Sequence, residues 1–228
     1  MLSSPNRPEI DHRTLKLIVG LVALSLASLT SLFARTKIAS ISASYYESGW
    51  SQVIFIGFLF AISAFLFAYN GYSRREMLLS KIAAVAALCI ALFPCGCGGH
   101  KEIIKNVHGI AAAVMFLILA FFCYVFFRRA LHKRSAEAKS RAYIYAGCGV
   151  VMVVSILVLA TDFLLHGAGT ARIPRLTFYG EAAALVAFGV SWLVASHHVP
   201  GVTSKQERLA RANSHNVPSN FSSDAQTA

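Results

Sequence analysis

Acidic side chains are scarce in this sequence. Asp and Glu number 10 among 228 residues, against 21 Lys and Arg. Charged residues of both signs make up 14% of the chain, whereas a soluble domain carries about 25%. Charge is nearly missing from several runs of about 20 apolar residues, which excludes an ordinary soluble fold and indicates membrane helices. These runs lack the apolar–polar alternation of barrel strands, so a β-barrel is excluded as well. No polar segment is long enough for a separate soluble domain, and no internal repeat is visible. A bis-histidine haem site needs facing pairs on the spans, and only His108 and His166 offer one, at a single leaflet.

What is present is a periodic layout of apolar runs and basic flanks. The formal charge of +11 suggests nucleic acid at first sight. The bases, however, lie in short segments beside apolar runs, which is a topology signal, and no nucleic-acid partner is expected. Six spans are read at about 14–34, 52–69, 79–95, 107–127, 142–166 and 176–197. Residues 1–13 form a short polar tail, and residues 199–228, rich in Ser, Asn, Gln and Thr, are expected to be disordered. The first span is too apolar for too long to be a signal peptide, and no small-x-small cleavage site follows it, so it is read as retained. Fifteen Lys and Arg fall with the two tails and the second and fourth loops, and six with the other three loops. The positive-inside rule then puts both termini in the cytoplasm. The expected fold is all-α: a polytopic six-transmembrane-helix bundle, N-in and C-in.

The last hairpin carries the unusual chemistry. Asp162 and Glu181 are the only acids within the spans, and an intramembrane acid is costly by several kcal/mol, so it marks a site or a structural pair. Asp162 and His166 stand four apart on one helical face. Gly180, Ala184, Ala187, Ser191 and Ala195 recur near the helical period, a small-residue stripe that allows close helix approach. With this topology His108, Asp162, His166 and Glu181 gather near the outer surface, with Ser40, Ser42, Glu47 and His100 in loops close to the same plane. The expected ligand-binding set is His108, Asp162, His166 and Glu181, with Asp162 and Glu181 as the catalytic candidates if catalysis occurs. Asp162-x3-His166 with His108 has ligand types and spacing compatible with zinc, though no HExxH-type signature is present. The blander reading has Asp162 and Glu181 bonded to Arg172, Arg175, tyrosines or backbone groups, fixing the hairpin.

Cys95-Gly-Cys97-Gly-Gly-His100 is the second candidate. On the outer side it reads as a possible redox pair in a tight ring, as a soft-metal site, or as a flexible turn with two incidental thiols. Cys89, Cys123 and Cys148 are read as packing residues, and Tyr45, Tyr46 and Trp50 as interfacial anchors. The basic stretch Arg128–Arg141 is expected to touch anionic headgroups.

Four short motifs carry a resemblance: Tyr69-Asn-Gly-Tyr72, Ala91-Leu-Phe-Pro94, Val107-His-Gly-Ile-Ala-Ala112 with its Phe-rich continuation, and Glu181 followed by Phe188-Gly-Val-Ser-Trp-Leu193. In these the chain resembles a group of bacterial six-span integral membrane proteins of unassigned function, over roughly residues 40–196. The resemblance implies the architecture, a bacterial inner (plasma) membrane location, and importance for His108 and Glu181. It carries no reaction. A weaker likeness is to membrane ceramidase-type hydrolases, in which Ser42, Asp162, His108 and His166 would take the zinc-site parts. Those enzymes have seven spans and a late His-x3-His pair, and this chain has neither.

The expectation is therefore an inner-membrane protein with an outward-facing polar pocket formed by spans four to six. It binds a lipid headgroup, a small ligand or a partner, without catalysis. Membrane lipids are the expected contacts, with a membrane-protein partner or a second copy of the chain as further ones. The first alternative is a metal-dependent hydrolase of lipid amide or ester bonds, and the second is a transporter.

Overall fold

The computed structural model describes residues 12–133, 135–165 and 167–202. The two tails and His166 are thus expectations that lie wholly or largely outside the described residues. All of the described regular structure is helical. The helices are α1 (His12–Phe33), α2 (Trp50–Ala68), α3 (Arg74–Leu92), α4 (Val107–His132), α5 (Ala136–Leu164), the short α6 (Ala168–Arg172) and α7 (Leu176–Ala195), with a 3-10 turn at Ser42–Tyr46.

Five of these helices, α1, α2, α4, α5 and α7, are long and apolar enough to cross a membrane. Their outward faces carry Leu21, Phe60, Phe67, Leu117, Val150 and Leu157, all exposed. An outside as apolar as this suits hydrocarbon and not water, and it fits a membrane-embedded bundle. α3 is also 19 residues long, and it packs between α2 and α4. Its first two turns hold Arg74, Arg75, Glu76 and Lys81, which makes it the least apolar of the six long helices.

The long helices outrun the apolar runs because polar caps start them early. Ser73 accepts the Glu76 N–H at 3.2 Å, and the Glu76 side chain reaches back to the Tyr72 N–H, also at 3.2 Å. This reciprocal cap satisfies helix-end donors and sets α3 going at Arg74, five residues before the apolar run at 79. Ser135 caps α5 in the same way, accepting the Ala138 N–H. The basic segment after the fourth span is consequently mostly helix, and the turn at 167–175 contains α6.

Each long helix packs on its neighbours in the chain, and α7 closes the ring against α1. That closure depends on glycine. A Cβ on Gly189 would sit 2.5 Å from Leu24 Cγ and 2.8 Å from the Gly20 carbonyl oxygen, and a Cβ on Gly20 would meet the Gly189 oxygen at 2.9 Å. Backbone-to-backbone approach of this kind is how helices associate in lipid, where no hydrophobic force draws them together. In the α7 stripe Ala184, Ala187, Ser191 and Ala195 are buried, and Gly180 meets Leu159 of α5. The core is aromatic toward the end where α1 begins and α7 finishes, where Tyr69, Phe122, Phe126 and Phe188 pack edgewise around Trp192 at 5.3–6.3 Å between ring centres.

Candidate functional site

The opposite end of the bundle is closed by residues 34–49, 93–106 and 167–175, where α1, α3 and α5 finish and α2, α4 and α7 begin. The first of these segments lies along the start of α7. The Phe178 N–H, an orphan donor of that helix's first turn, donates to the Ala39 carbonyl at 3.1 Å, and Arg175 Nε donates to the Ile38 carbonyl at 2.9 Å. This stitching brings residues 40–42 over the second turn of α7, where Glu181 stands.

Glu181 is enclosed by donors. Its Oε2 accepts the Ile41 N–H at 2.5 Å and Ser40 Oγ at 2.8 Å, and its Oε1 lies 2.9 Å from Ser42 Oγ. Ser42 Oγ is also 2.9 Å from Nε2 of His108, in the first turn of α4. His108 Nδ1 is 2.8 Å from the carbonyl oxygen of Phe93. Ser40, Ser42 and His108 are all buried. The result is one continuous chain, Glu181–Ser42–His108–Phe93 carbonyl, that joins the first loop, α4, α7 and the end of α3.

Hydrogen counting constrains this chain. The Phe93 carbonyl only accepts, so His108 Nδ1 carries a hydrogen. Ser42 has one hydroxyl hydrogen and two close neighbours. With neutral imidazole and ionised carboxylate, both neighbours are acceptors and one contact has no proton. A single further proton completes the set in either of two ways. It resides on His108 Nε2, and Ser42 donates to the carboxylate, or it resides on Glu181 Oε1, and Ser42 donates to the imidazole. The two arrangements interconvert when Ser42 accepts one proton and releases another. Both are neutral overall, which is what a low-dielectric setting favours.

The Gly-rich loop is folded close by. Cys95 and Cys97 are joined by a disulfide, with Cα atoms 5.3 Å apart. Tyr46 donates its hydroxyl to the Cys95 carbonyl at 2.7 Å and stacks on His100 at 3.8 Å. Burial, then Tyr45 and Glu102 beside it, holds the Tyr46 phenol above its ordinary pKa. Glu47 accepts from the Arg35 N–H and from Thr36 Oγ1, which closes the first loop on itself.

His108 and Glu181 of the expected set are brought together, with Ser42 as the link. Asp162 is occupied elsewhere. It accepts the Gly169 and Thr170 N–H groups at 2.8 and 3.0 Å and the Thr170 hydroxyl, and so caps α6. Its partners are backbone and hydroxyl groups of its own turn, and no contact links it to Glu181 among the described residues. Nor do three His, Cys, Asp or Glu side chains converge as metal ligands among those residues. Ser40 and Ser42 are legible in the sequence only as polar residues at the right depth. The Ile41 N–H and the Phe93 carbonyl carry no sequence signal, because backbone groups acquire a role only through the fold. No family model, curated protein or solved structure matches this chain.

Proposed function

We propose that this chain is a six-span protein of a bacterial inner membrane, with both termini in the cytoplasm and α3 as the sixth crossing helix. Its working centre is the Ser40–Ser42–His108–Glu181 cluster at the outer end. The cluster binds the polar part of a ligand, either a lipid headgroup or a small hydrogen-bonding molecule, without catalysis. The observation that carries this reading is the position of Ser42 Oγ, 2.9 Å from both His108 and Glu181. A hydroxyl or amide group that displaces a serine from Glu181 takes over its hydrogen bonds. In this reading the first loop, rather than the fifth span, stands beside α4 and α7 at the ligand, as the bonds from Ser40 and Ser42 to Glu181 suggest.

The test is ligand-dependent stabilisation of the detergent-purified protein across a panel of phospholipids and polar small molecules, from pH 5 to 9. The expected result is a saturable rise in melting midpoint in wild type that persists across this range and is lost in Glu181→Gln and Ser42→Ala. Equal shifts in wild type and both variants sink the reading.

A second reading rests on a specific observation. Ser42 Oγ faces an imidazole whose far nitrogen is fixed by a carbonyl, which is the arrangement of a nucleophile, a base and an orienting group. Hydrolysis of a lipid amide or ester by Ser42 is the corresponding activity. Covalent labelling of Ser42 by a fluorophosphonate, abolished in His108→Ala, would favour it over plain binding.

A further inference from the structure

The second place where charge is concentrated lies at the other end of the bundle. A cavity of about 810 Å³ opens between α1, α4, α5 and the end of α7. Seven of its lining side chains are Lys, Arg or His, and none is Asp or Glu. Its size falls within the range of small-molecule sites, about 300–1,000 Å³.

Bases that flank a span normally extend into water or headgroups, as Arg128 does here, but two of these are built into the wall. Lys16 is 5% exposed and Arg141 is 1% exposed. The Lys16 ammonium lies 4.9 Å from the ring centre of Phe126, 5.3 Å from Tyr69 and 5.9 Å from Tyr72. Aromatic faces attract a cation but leave its net charge in place. Arg129 gives Nη2 to Glu76 and leaves Nη1 buried without a partner among the described residues. Glu76, the carboxylate that Arg129 reaches, is also engaged by the α3 cap. Arg141 donates to the Val202 carbonyl, which ties the chain beyond α7 to α5.

A cavity walled by Lys16, Arg128 and Arg129, with a buried guanidinium N–H of Arg129 that has no partner among the described residues and no acid in its lining, suits a polyvalent anion. Guanidinium and ammonium groups together are the usual donors to phosphate. We infer that this cavity binds a phosphate group, carried either by an anionic lipid headgroup or by a free phosphate compound, with Lys16, Arg128 and Arg129 as its ligands. The site stands apart from the outer cluster and does not depend on its reading.

The experiment uses the full chain, delipidated in neutral detergent. Its melting midpoint is followed against phosphatidylglycerol mixed micelles, phosphatidylcholine mixed micelles, and inorganic pyrophosphate, each at ionic strength matched with sodium chloride. A saturable rise with phosphatidylglycerol alone assigns the site to a headgroup. A rise with pyrophosphate assigns it to free phosphate. Lys16→Gln and Arg129→Gln should each weaken the active probe on the order of ten-fold or more, since each removes a charge-assisted contact. Lys105→Gln, at the other end, should change nothing. If Lys16→Gln does not fold, Arg128→Gln, on the exposed rim, carries the same test. The inference is overturned if phosphatidylcholine or chloride matches the best probe, if no probe shifts the midpoint, or if the folded variants keep wild-type affinity.

Discussion

Glu181→Ala and Glu181→Gln should differ sharply, and the difference can be worked out from the bonds. The alanine variant deprives the Ile41 N–H and Ser40 Oγ of their acceptor. Ser42 is spared, because its hydroxyl can turn fully to His108 Nε2. Two buried donors without partners cost about 1–3 kcal/mol each, so the expected loss is about 2–6 kcal/mol. Glutamine restores both. Its carbonyl accepts from Ile41 and Ser40, and its amide donates to Ser42 Oγ, which then donates to the imidazole. It reproduces the arrangement in which Glu181 holds the shared proton, so its cost should stay below about 1 kcal/mol. The assay is equilibrium unfolding in mixed micelles of SDS and a mild detergent, read by circular dichroism for both variants and wild type. Equal destabilisation by glutamine and alanine would mean that Glu181 acts only as an anion paired with imidazolium, and the shared-proton account would be wrong. No destabilisation by either would show that the network contributes nothing to the fold.

Three further outcomes are expected. Gly189→Ala should destabilise by about 1–3 kcal/mol through overpacking against Leu24 and the Gly20 backbone, whereas Gly57→Ala, with nothing near its added methyl, should be neutral or slightly stabilising; the same unfolding titration reads both. Ser73→Ala removes the α3 cap and should cost about 1 kcal/mol, most evident as faster amide exchange at residues 74–77. Reducing Cys95–Cys97 opens a ring spanning only three residues, so loop entropy predicts a loss of about 1.5 kcal/mol; a collapse of the bundle on adding dithiothreitol would contradict this.

Part of the candidate site is legible in the sequence. Glu181 and His108 stand out because an acid and an imidazole near apolar spans are costly without partners, and both belong to the cluster. Asp162 stands out for the same reason, yet it caps α6 seven residues on, through N–H groups that α6 itself aims at it. The spacing Asp162-x3-His166 suits two ligands on one helix equally well, and periodicity cannot separate a cap from a ligand. The helix caps are present in the sequence as Ser73-x-x-Glu76 and Ser135-x-x-Ala138, of which only the first has a full capping-box signature. Hydropathy passes over both, so α3 and α5 begin earlier than the apolar runs.

The helical class, the long apolar helices and the uneven share of Lys and Arg between the two sets of flanking segments follow from composition and spacing alone. Desolvating the backbone in lipid permits little else than helices once the apolar runs are long enough. Only tertiary packing decided which polar groups meet. Ser40 and Ser42 reach Glu181 across some 140 positions because Gly20 and Gly189 let α1 and α7 touch, which places the loop after α1 over the start of α7. Lys16 and Arg129 line one cavity, although α1 and α4 are not neighbours in the ring, because the ring closes through α7 against α1. Contacts at such separations depend on how helices seat against one another, and that information lies in shape rather than in any local run of residues.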